Sequence, residues 1–548
     1  MKFNFPFRKR QEESPVRPKK PQDTLAPVIP SSRSELVFGL VYASGTKADQ
    51  VSEALIDFLH KYHYETRVIR ISEYIEKRLG IELDGASAFE RIDHLIKGGN
   101  SLCQESHCKD FLALAAIAEI AGKRNRTDDG PAPSLGKAYI VRSLKRPEEV
   151  DRLRHTYRPG FYLVGVFSSE EERRKYFDQK GIIENTANDL IARDQKESEE
   201  EYGQRTRDTF HRADVFVQVS NFQDELKRFL RIVFGDPFET PTPSEHAMFL
   251  AAAAATRSAQ FGRQVGAAIL DASGDLLSIG CNEVPTPVGG LYWPPTKESP
   301  SFRDHELSPP RDSNDRAKEE IETNVVARVK AMIDKGLEIA SGSIGTETIL
   351  AVRKSIESQF PSKPRILKPT KLFDITEFGR AVHAEMEAIL CCGRTGRSPR
   401  GGTLYTTTFP CHNCTRHIIA SGLKRVVYIE PYPKSRAEDL HGDAIKLCNS
   451  DGVSADGEGD RRIPFVPFVG IGPRRFLDLF SLELTSGRVL DRKLSDGNSI
   501  KWSPEDSSGP RVPMSPASYL DREEGAVRDM NKFIEETQKG EPNGHKQE

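Results

Sequence analysis

Two short stretches of this sequence bring metal-binding and proton-transferring side chains to fixed spacings: His383-Ala384-Glu385 and Pro410-Cys411-His412-Asn413-Cys414. One imidazole and two thiolates are the donor set of a zinc centre that keeps its fourth position open for chemistry. Each stretch falls at the expected start of a helix, where the backbone dipole favours the thiolate form of Cys411 and Cys414. Zinc (Zn2+) in such a site lowers the pKa of a bound water to about 7, and Glu385, two residues from His383, is the candidate to take that water's proton. Either half alone is weak, because an isolated H-x-E is ordinary sequence and an isolated C-x-x-C also serves redox and structural sites. A purely structural zinc would want a fourth protein ligand; His412 is available, although its adjacency to Cys411 makes joint tetrahedral binding awkward.

The elements that must position these groups are legible around them. A helix is expected from about Ala381 to Cys392, a strand at Thr403 to Thr407, a helix ending near Gly422 and a strand at Arg425 to Ile429, which is βαβ order. Upstream, Val265 to Leu270 and Leu276 to Ile279 flank Asp271-Ala-Ser-Gly274 and read as a hairpin ending at Gly280-Cys281-Asn282. Before it, Gly235-Asp236-Pro237 and the Thr/Pro cluster at 240 to 243 read as a linker, with Ser244 as N-cap of an alanine-rich helix to about Ala259. This second domain spans 244–480, and its long interruption at about 286–380 is the kind of insertion that often covers a site.

A first domain is expected over 35–235. Short apolar runs at Leu36 to Val41, Val68 to Ile71, Ala138 to Val141, Phe161 to Phe167 and Ala213 to Val219 alternate with helical patterns, as in a parallel sheet covered by helices. Between the first strand and the first helix lies Gly39-Leu-Val-Tyr-Ala-Ser44-Gly45-Thr46-Lys47, where backbone amides and a helix dipole can cradle phosphate. The lettering departs from a standard P-loop: five residues separate the glycines, and Thr46 precedes Lys47. A regulatory nucleotide at this P-loop-like site is therefore a better expectation than phosphoryl transfer, with a structural turn as the alternative. Residues 1–34 read as a basic, proline-rich disordered tail, and 481–548 as a partly disordered extension with a helix at about Ala526 to Thr537. The fold class is α/β throughout: a P-loop-like parallel sheet with helices, then an α/β/α domain with an insertion.

Composition narrows the partners. The 548 residues exceed what one core usually supports, and a formal net charge of −2 lacks the basic excess of a phosphate-backbone binder, so nucleic acid is not the expected substrate. The longest apolar stretch, Met248 to Ala255, is too short to span a bilayer, and no secretory signal opens the sequence. No membrane association and a cytoplasmic location are expected. Eight cysteines in such a chain suggest metal binding or burial over disulfides, and Cys391 and Cys392 read as small buried hydrophobes.

The pairing of H-x-E with P-C-x-x-C is the known signature of zinc deaminases. Together with Arg263-Gln-Val-Gly-Ala, Gly280-Cys-Asn282, Thr403-Leu-Tyr-Thr-Thr-Thr-Phe-Pro-Cys-His-Asn-Cys414 and Lys424-Arg-Val-Val-Tyr-Ile-Glu-Pro-Tyr-Pro433, it makes residues 244 to about 435 resemble the deoxycytidylate (dCMP) deaminase family, with a cytidine deaminase-like fold. That resemblance implies a deoxycytidine nucleotide as substrate, with His383, Cys411 and Cys414 as zinc ligands. It implies that Glu385 protonates N3 of the pyrimidine and then the departing ammonia, that Asn282 holds the sugar hydroxyl, and that Tyr432 lines the nucleotide pocket. Asn282 as a turn residue and Tyr432 as a packing residue are the alternatives. The whole arrangement, over roughly residues 35 to 480, is similar to the bacterial anti-phage dCTP deaminases; Ala138-Tyr-Ile-Val-Arg-Ser-Leu-Lys-Arg-Pro147 and Tyr202-Gly-Gln-Arg-Thr-Arg-Asp-Thr-Phe-His-Arg-Ala-Asp214 carry that likeness. It implies depletion of the dCTP pool during infection; the cytidine deaminase-like fold, which often assembles, makes a homo-oligomer the expectation. An RNA or DNA base deaminase, or a nucleotide sensor with a structural zinc, is the competing function.

Overall fold

The computed structural model describes residues 33–80, 85–127, 130–195, 197, 200–340, 345–359, 378–431, 435–448, 460–483, 489–507, 509–514 and 516–539. Residues 1–32 of the tail expected over 1–34, and Tyr432, expected to line the nucleotide pocket, lie outside the described residues.

The first sheet is built on β1 (Leu36–Tyr42), whose run Leu-Val-Phe-Gly-Leu-Val is buried on both faces, as a central strand between two helical layers must be. With β2 (Glu65–Arg70), β3 (Lys137–Arg142), β4 (Phe161–Phe167) and β5 (Val215–Gln218) it forms the parallel order β5-β4-β1-β3-β2. Helix α1 (Ala48–Lys61) follows β1 and buries Val51, Leu55 and Leu59, the residues whose spacing predicts its inner face. Helix α2 (Phe111–Ala121) is apolar almost all round and sits in the core. Two later helices, α3 (Glu184–Gln195) and the single turn-and-a-half α4 (Thr206–Phe210), lie near the sheet's loop edge and matter for the site below.

The second body opens with α5 (Pro243–Ala255). Its N-cap is Thr242, not the expected Ser244: Thr242 Oγ1 accepts from the Glu245 amide at 3.2 Å while Glu245 returns a carboxylate oxygen to the Thr242 amide at 2.7 Å. Pro243 takes the first helical position, where its missing N–H costs nothing. The hairpin β6 (Gly266–Leu270) and β7 (Leu276–Cys281) pairs with β8 (Thr403–Thr406), β9 (Arg425–Tyr428), β10 (Ile445–Leu447) and β11 (Ile463–Pro467) in the order β10-β11-β9-β8-β6-β7. The strands from β8 onward are parallel; β6 and β7 are antiparallel to their neighbours. The insertion carries α6 (Ser313–Ala340) and α7 (Thr346–Gln359). Helices α8 (Ala384–Arg394) and α9 (His412–Ala420) follow the two candidate ligand stretches. The architecture is thus mixed α/β with two parallel-dominated sheets.

The two bodies interlock more than a simple boundary near 235 or 480 allows. Beyond β11 the chain returns to the first sheet as β12 (Gly470–Ile471), antiparallel to β5. Farther on, α10 (Pro516–Lys539), which contains and extends the helix expected at about Ala526 to Thr537, packs across α2 and so belongs to the first body. Tyr519, Ala526 and Met530 enter the same core as α2. Arg124 explains the docking: its side chain is 1% exposed and reaches Glu35 at 2.7 Å and Glu523 at 2.5 Å, while the Tyr519 hydroxyl also bonds Glu35. A buried guanidinium needs such partners. Among the described residues no helix is long and apolar enough to cross a membrane.

Candidate active site

His383 and Cys411 are the N-caps of α8 and α9, both in extended backbone, so the two helices begin side by side with their amide ends facing one pocket. A glycine makes this placement possible. At Gly280 in β7, a Cβ would come within 2.3 Å of the Ala384 carbonyl oxygen, so only glycine lets α8 lie this close to the sheet. The insertion returns through a two-way bridge between Glu283 and Val382, with N···O distances of 3.0 and 3.3 Å, which delivers His383 beside Asn282.

His383 Nδ1 lies 3.3 Å from the Sγ of Cys411 and 3.3 Å from that of Cys414, and the three donor atoms fall within 4.8 Å of one another. Imidazole with two thiolates is zinc donor chemistry, so the residues present fit a zinc ion. The Cys411 thiol is pushed down to about 4, chiefly because the Cys414 thiol donates to it, with His383 adding to the effect against burial. Cys414 is pushed well up by the same contact and by burial. Its Sγ also lies 3.4 Å from Glu385 Oε2. Burial raises the Glu385 carboxyl above its ordinary value, and the Cys411 thiolate adds to the rise. A carboxyl whose affinity for a proton is raised by its surroundings suits an acid/base shuttle.

The pocket in front of these groups has a volume of about 420 Å³ and is lined by His383, Glu385 and Cys411 together with Asn282, Arg263 and Phe409. Asn282 is on this wall, but its amide also serves the backbone: Oδ1 accepts from Val265 N at 2.7 Å and Nδ2 donates to the Arg263 carbonyl at 2.9 Å. Each end keeps one further hydrogen-bonding position. His412 is not in the ligand cluster. Sequence reasoning missed the opposite wall, which the insertion supplies through Asp304, Asp312, Asn314 and Arg380, with Arg380 held by Asp304 at 2.8 Å. Only the insertion's length signalled a contribution there; no motif marks those residues. Of the adjacent cysteines, Cys392 is buried and bonds Ser278 Oγ at 3.2 Å, whereas Cys391 is half-buried.

The P-loop-like stretch forms a turn whose Ser44 amide is bonded to a side chain of the chain itself. Ser44, Gly45 and Thr46 form the turn between β1 and α1, with Gly45 at φ +87°. The Ser44 amide donates to Asp194 Oδ2 at 2.8 Å, and the other oxygen of this fully buried carboxylate takes Lys145 Nζ at 2.7 Å and Thr206 Oγ1 at 3.1 Å. The loop thus holds an anion supplied by α3 of the chain itself. Lys47 faces solvent, so the lysine at this loop is Lys145. Gly39 belongs to the middle of β1 and not to the loop: a Cβ there would lie 2.6 Å from Leu144 Cδ1, which makes it a packing glycine. Tyr432 has no described position.

Helix α4 links this loop to the second body. Thr206 bonds Asp194, while Arg207 and His211 reach the buried Glu430, just beyond β9, at 2.8 and 3.3 Å. Asp208 binds Arg263 of the zinc-site pocket at 2.7 Å.

Comparison with known proteins agrees with this geometry. Residues 241–430 match the family model described as the cytidine and deoxycytidylate deaminase zinc-binding region. The deoxycytidylate deaminase of Enterobacteria phage T2 is 46% identical over 55 residues, 10% of this chain and 29% of the phage protein. ComE operon protein 2 of Bacillus subtilis (strain 168) is 45% identical over 77 residues, 14% of this chain and 38% of that protein. The matches therefore span well under half the length of either relative. A crystal structure of dCMP deaminase from the cyanophage S-TIM5, in complex with dCMP and dUMP, aligns over 37% of this chain and 93% of that one, at 16% identity and a TM-score of 0.21, too low to carry an argument. Residues 241–430, which contain His383, Glu385, Cys411 and Cys414, therefore match a cytidine and deoxycytidylate deaminase zinc-binding region, and the three ligand-type side chains cluster as a zinc site requires.

Proposed function

We propose that this protein hydrolyses the exocyclic C–N bond of deoxycytidine nucleotides, converting dCMP, dCTP or both to the deoxyuridine nucleotide and ammonia. The observation that carries the reading is the buried Glu385 carboxyl beside a cluster of one imidazole and two thiols at facing helix starts. His383, Cys411 and Cys414 would hold zinc, which supplies Lewis acidity toward water when bound. Glu385 takes a proton from the attacking water and passes it to N3 of the cytosine ring, then takes the remaining proton from the new C4 hydroxyl and gives it to the departing amino group, which leaves as ammonia while the C4 carbonyl forms. Asn282 orients the sugar through its remaining hydrogen-bond positions, and Phe409 closes the apolar side of the pocket. In balance, water adds at C4, ammonia leaves, and no oxidant or reductant is needed.

The domain division at about 235, the regulatory nucleotide at the Ser44 to Thr46 turn, assembly as a homo-oligomer and a role in depleting dCTP during phage infection belong to the same proposal. They are supported by the sequence likeness given above and by the α4 contacts that join the turn to the second body. The test is ammonia release by purified, zinc-loaded protein with dCTP, dCMP, CTP, CMP, cytidine and a cytosine-containing oligonucleotide. Activity confined to deoxycytidine nucleotides, lost in Glu385→Gln with zinc retained, is the expected result. Turnover of the oligonucleotide alone would overturn the reading, and so would undiminished turnover by Glu385→Gln.

A further inference from the structure

Next to the zinc-site pocket, and sharing Arg263, Val265 and Thr408 with it, lies a second and larger cleft of about 970 Å³ between the two bodies. Its walls carry three arginines, Arg212, Arg263 and Arg474, together with His211 and one carboxylate, Asp208. Three of these side chains are partnered: His211 faces Glu430, Arg263 binds Asp208, and Arg212 binds Asp151. Arg474, in the short turn Pro473–Arg475 after β12, has no ion-pair partner among the described residues.

Arg474 is exposed, yet partial loss of water, with Arg154 and Arg212 as like charges, outweighs the nearby carboxylates of Asp214 and Asp151 and holds its guanidinium below the ordinary arginine value. A guanidinium with no ion pair of its own, on the wall of a cleft that also carries Arg212 and Arg263, can take an anion. The matched family region ends at residue 430. His211, Arg212 and Arg474 lie outside it, so these charges come from the parts of this chain that the family region does not contain.

We propose that this cleft is the subsite for the polyphosphate tail of the nucleotide whose cytosine enters beside Glu385, with Arg474 and Arg212 as the residues that favour a triphosphate over a monophosphate. The inference rests on the deaminase reading and deepens it. One molecule can occupy both spaces because their shared wall is Arg263, Val265 and Thr408: the first phosphate meets Arg263, and the remainder of the tail turns toward Arg212 and Arg474. Guanidinium groups suit this task, since they bind phosphate oxygens in pairs and stay charged.

The experiment uses the full-length, zinc-loaded chain and the variants Arg474→Ala and Arg212→Ala. Arg474 bonds nothing that its loss would leave stranded, and Arg212 gives up only an exposed pair with Asp151. Binding of inorganic tripolyphosphate is measured by calorimetry, alongside kcat and KM for dCTP and dCMP. Each variant is expected to weaken tripolyphosphate by about tenfold or more and to raise the KM for dCTP by a similar factor, leaving kcat and the KM for dCMP within about twofold. Unchanged tripolyphosphate binding in both variants would overturn the subsite. So would equal losses on dCTP and dCMP, or binding that is lost in Lys145→Ala beside the Ser44 turn and kept in Arg474→Ala. If wild-type protein released no ammonia from any nucleotide, the proposed function would fall, while the tripolyphosphate titration would still decide the cleft.

Discussion

Replacing Glu430 removes the one carboxylate that α4 grips in the second body. Its side chain is fully buried, Arg207 opposite it is 19% exposed, and His211 is 21% exposed. Breaking a buried ion pair by deleting one partner costs about 3–5 kcal/mol, and breaking a surface pair about 0–1 kcal/mol. Arg207 lies between these limits, since water recovers part of its hydration once the carboxylate is gone, so Glu430→Ala is expected to cost about 2–3 kcal/mol at this contact. Glu430→Gln keeps the acceptor oxygen and should cost less. The assay is native-state hydrogen exchange of the α4 amides, such as that of Thr209, which bonds the Arg205 carbonyl. At 1.4 kcal/mol per tenfold, exchange in Glu430→Ala should quicken by about 30- to 150-fold. Wild-type protection of α4 in Glu430→Ala would refute the assignment of this pair as the clasp between the bodies.

The same carboxylate sets a pH dependence. Burial pushes Glu430 up, but the charges of His211 and Arg207 outweigh it and hold the group below its ordinary value. Its contribution is therefore complete above the ordinary glutamate pKa of about 4.3 and is lost as pH falls through the lower folded value; α4 protection that vanished on raising pH instead would contradict the sign. Cys414→Ala should leave the chain folded but unable to retain zinc, read as metal content after dialysis, because two donors cannot replace three; full zinc occupancy in that variant would remove Cys414 from the ligand set. Glu523→Ala strips Arg124 of one of two buried carboxylates and should destabilise the first body by about 3 kcal/mol or more, seen as a lower first unfolding transition in calorimetry. An unchanged transition would mean that α10 is held by its apolar face alone.

Much of the zinc centre is legible in the sequence because its parts are local. His383 with Glu385, and Cys411 with Cys414, are each set within one turn of a helix, so residue spacing already fixes how those side chains lie relative to one another. The strands β1, β3 and β4 are equally legible, since continuous apolar runs bounded by turn residues have few other uses. The N-cap at Thr242 could have been found by weighing Glu245 three residues on, a reciprocal bond that Ser244 has no glutamate to make.

What only the tertiary structure decided is where distant segments meet. Two half-sites become one because Gly280 lets α8 lie against β7 and the bridge at Glu283 and Val382 returns the insertion to the same place. The Ser44 turn has the backbone of an anion site in the sequence, yet the buried anion it holds is Asp194, about 150 residues away. Likewise, no local pattern tells that β12 and α10 rejoin the first body, or that Arg474 and Arg212 line one cleft. Short-range spacing is dictated by the covalent chain and helix geometry, whereas long-range pairing is dictated by which buried charges and apolar faces can be satisfied together, and only the folded chain solves that.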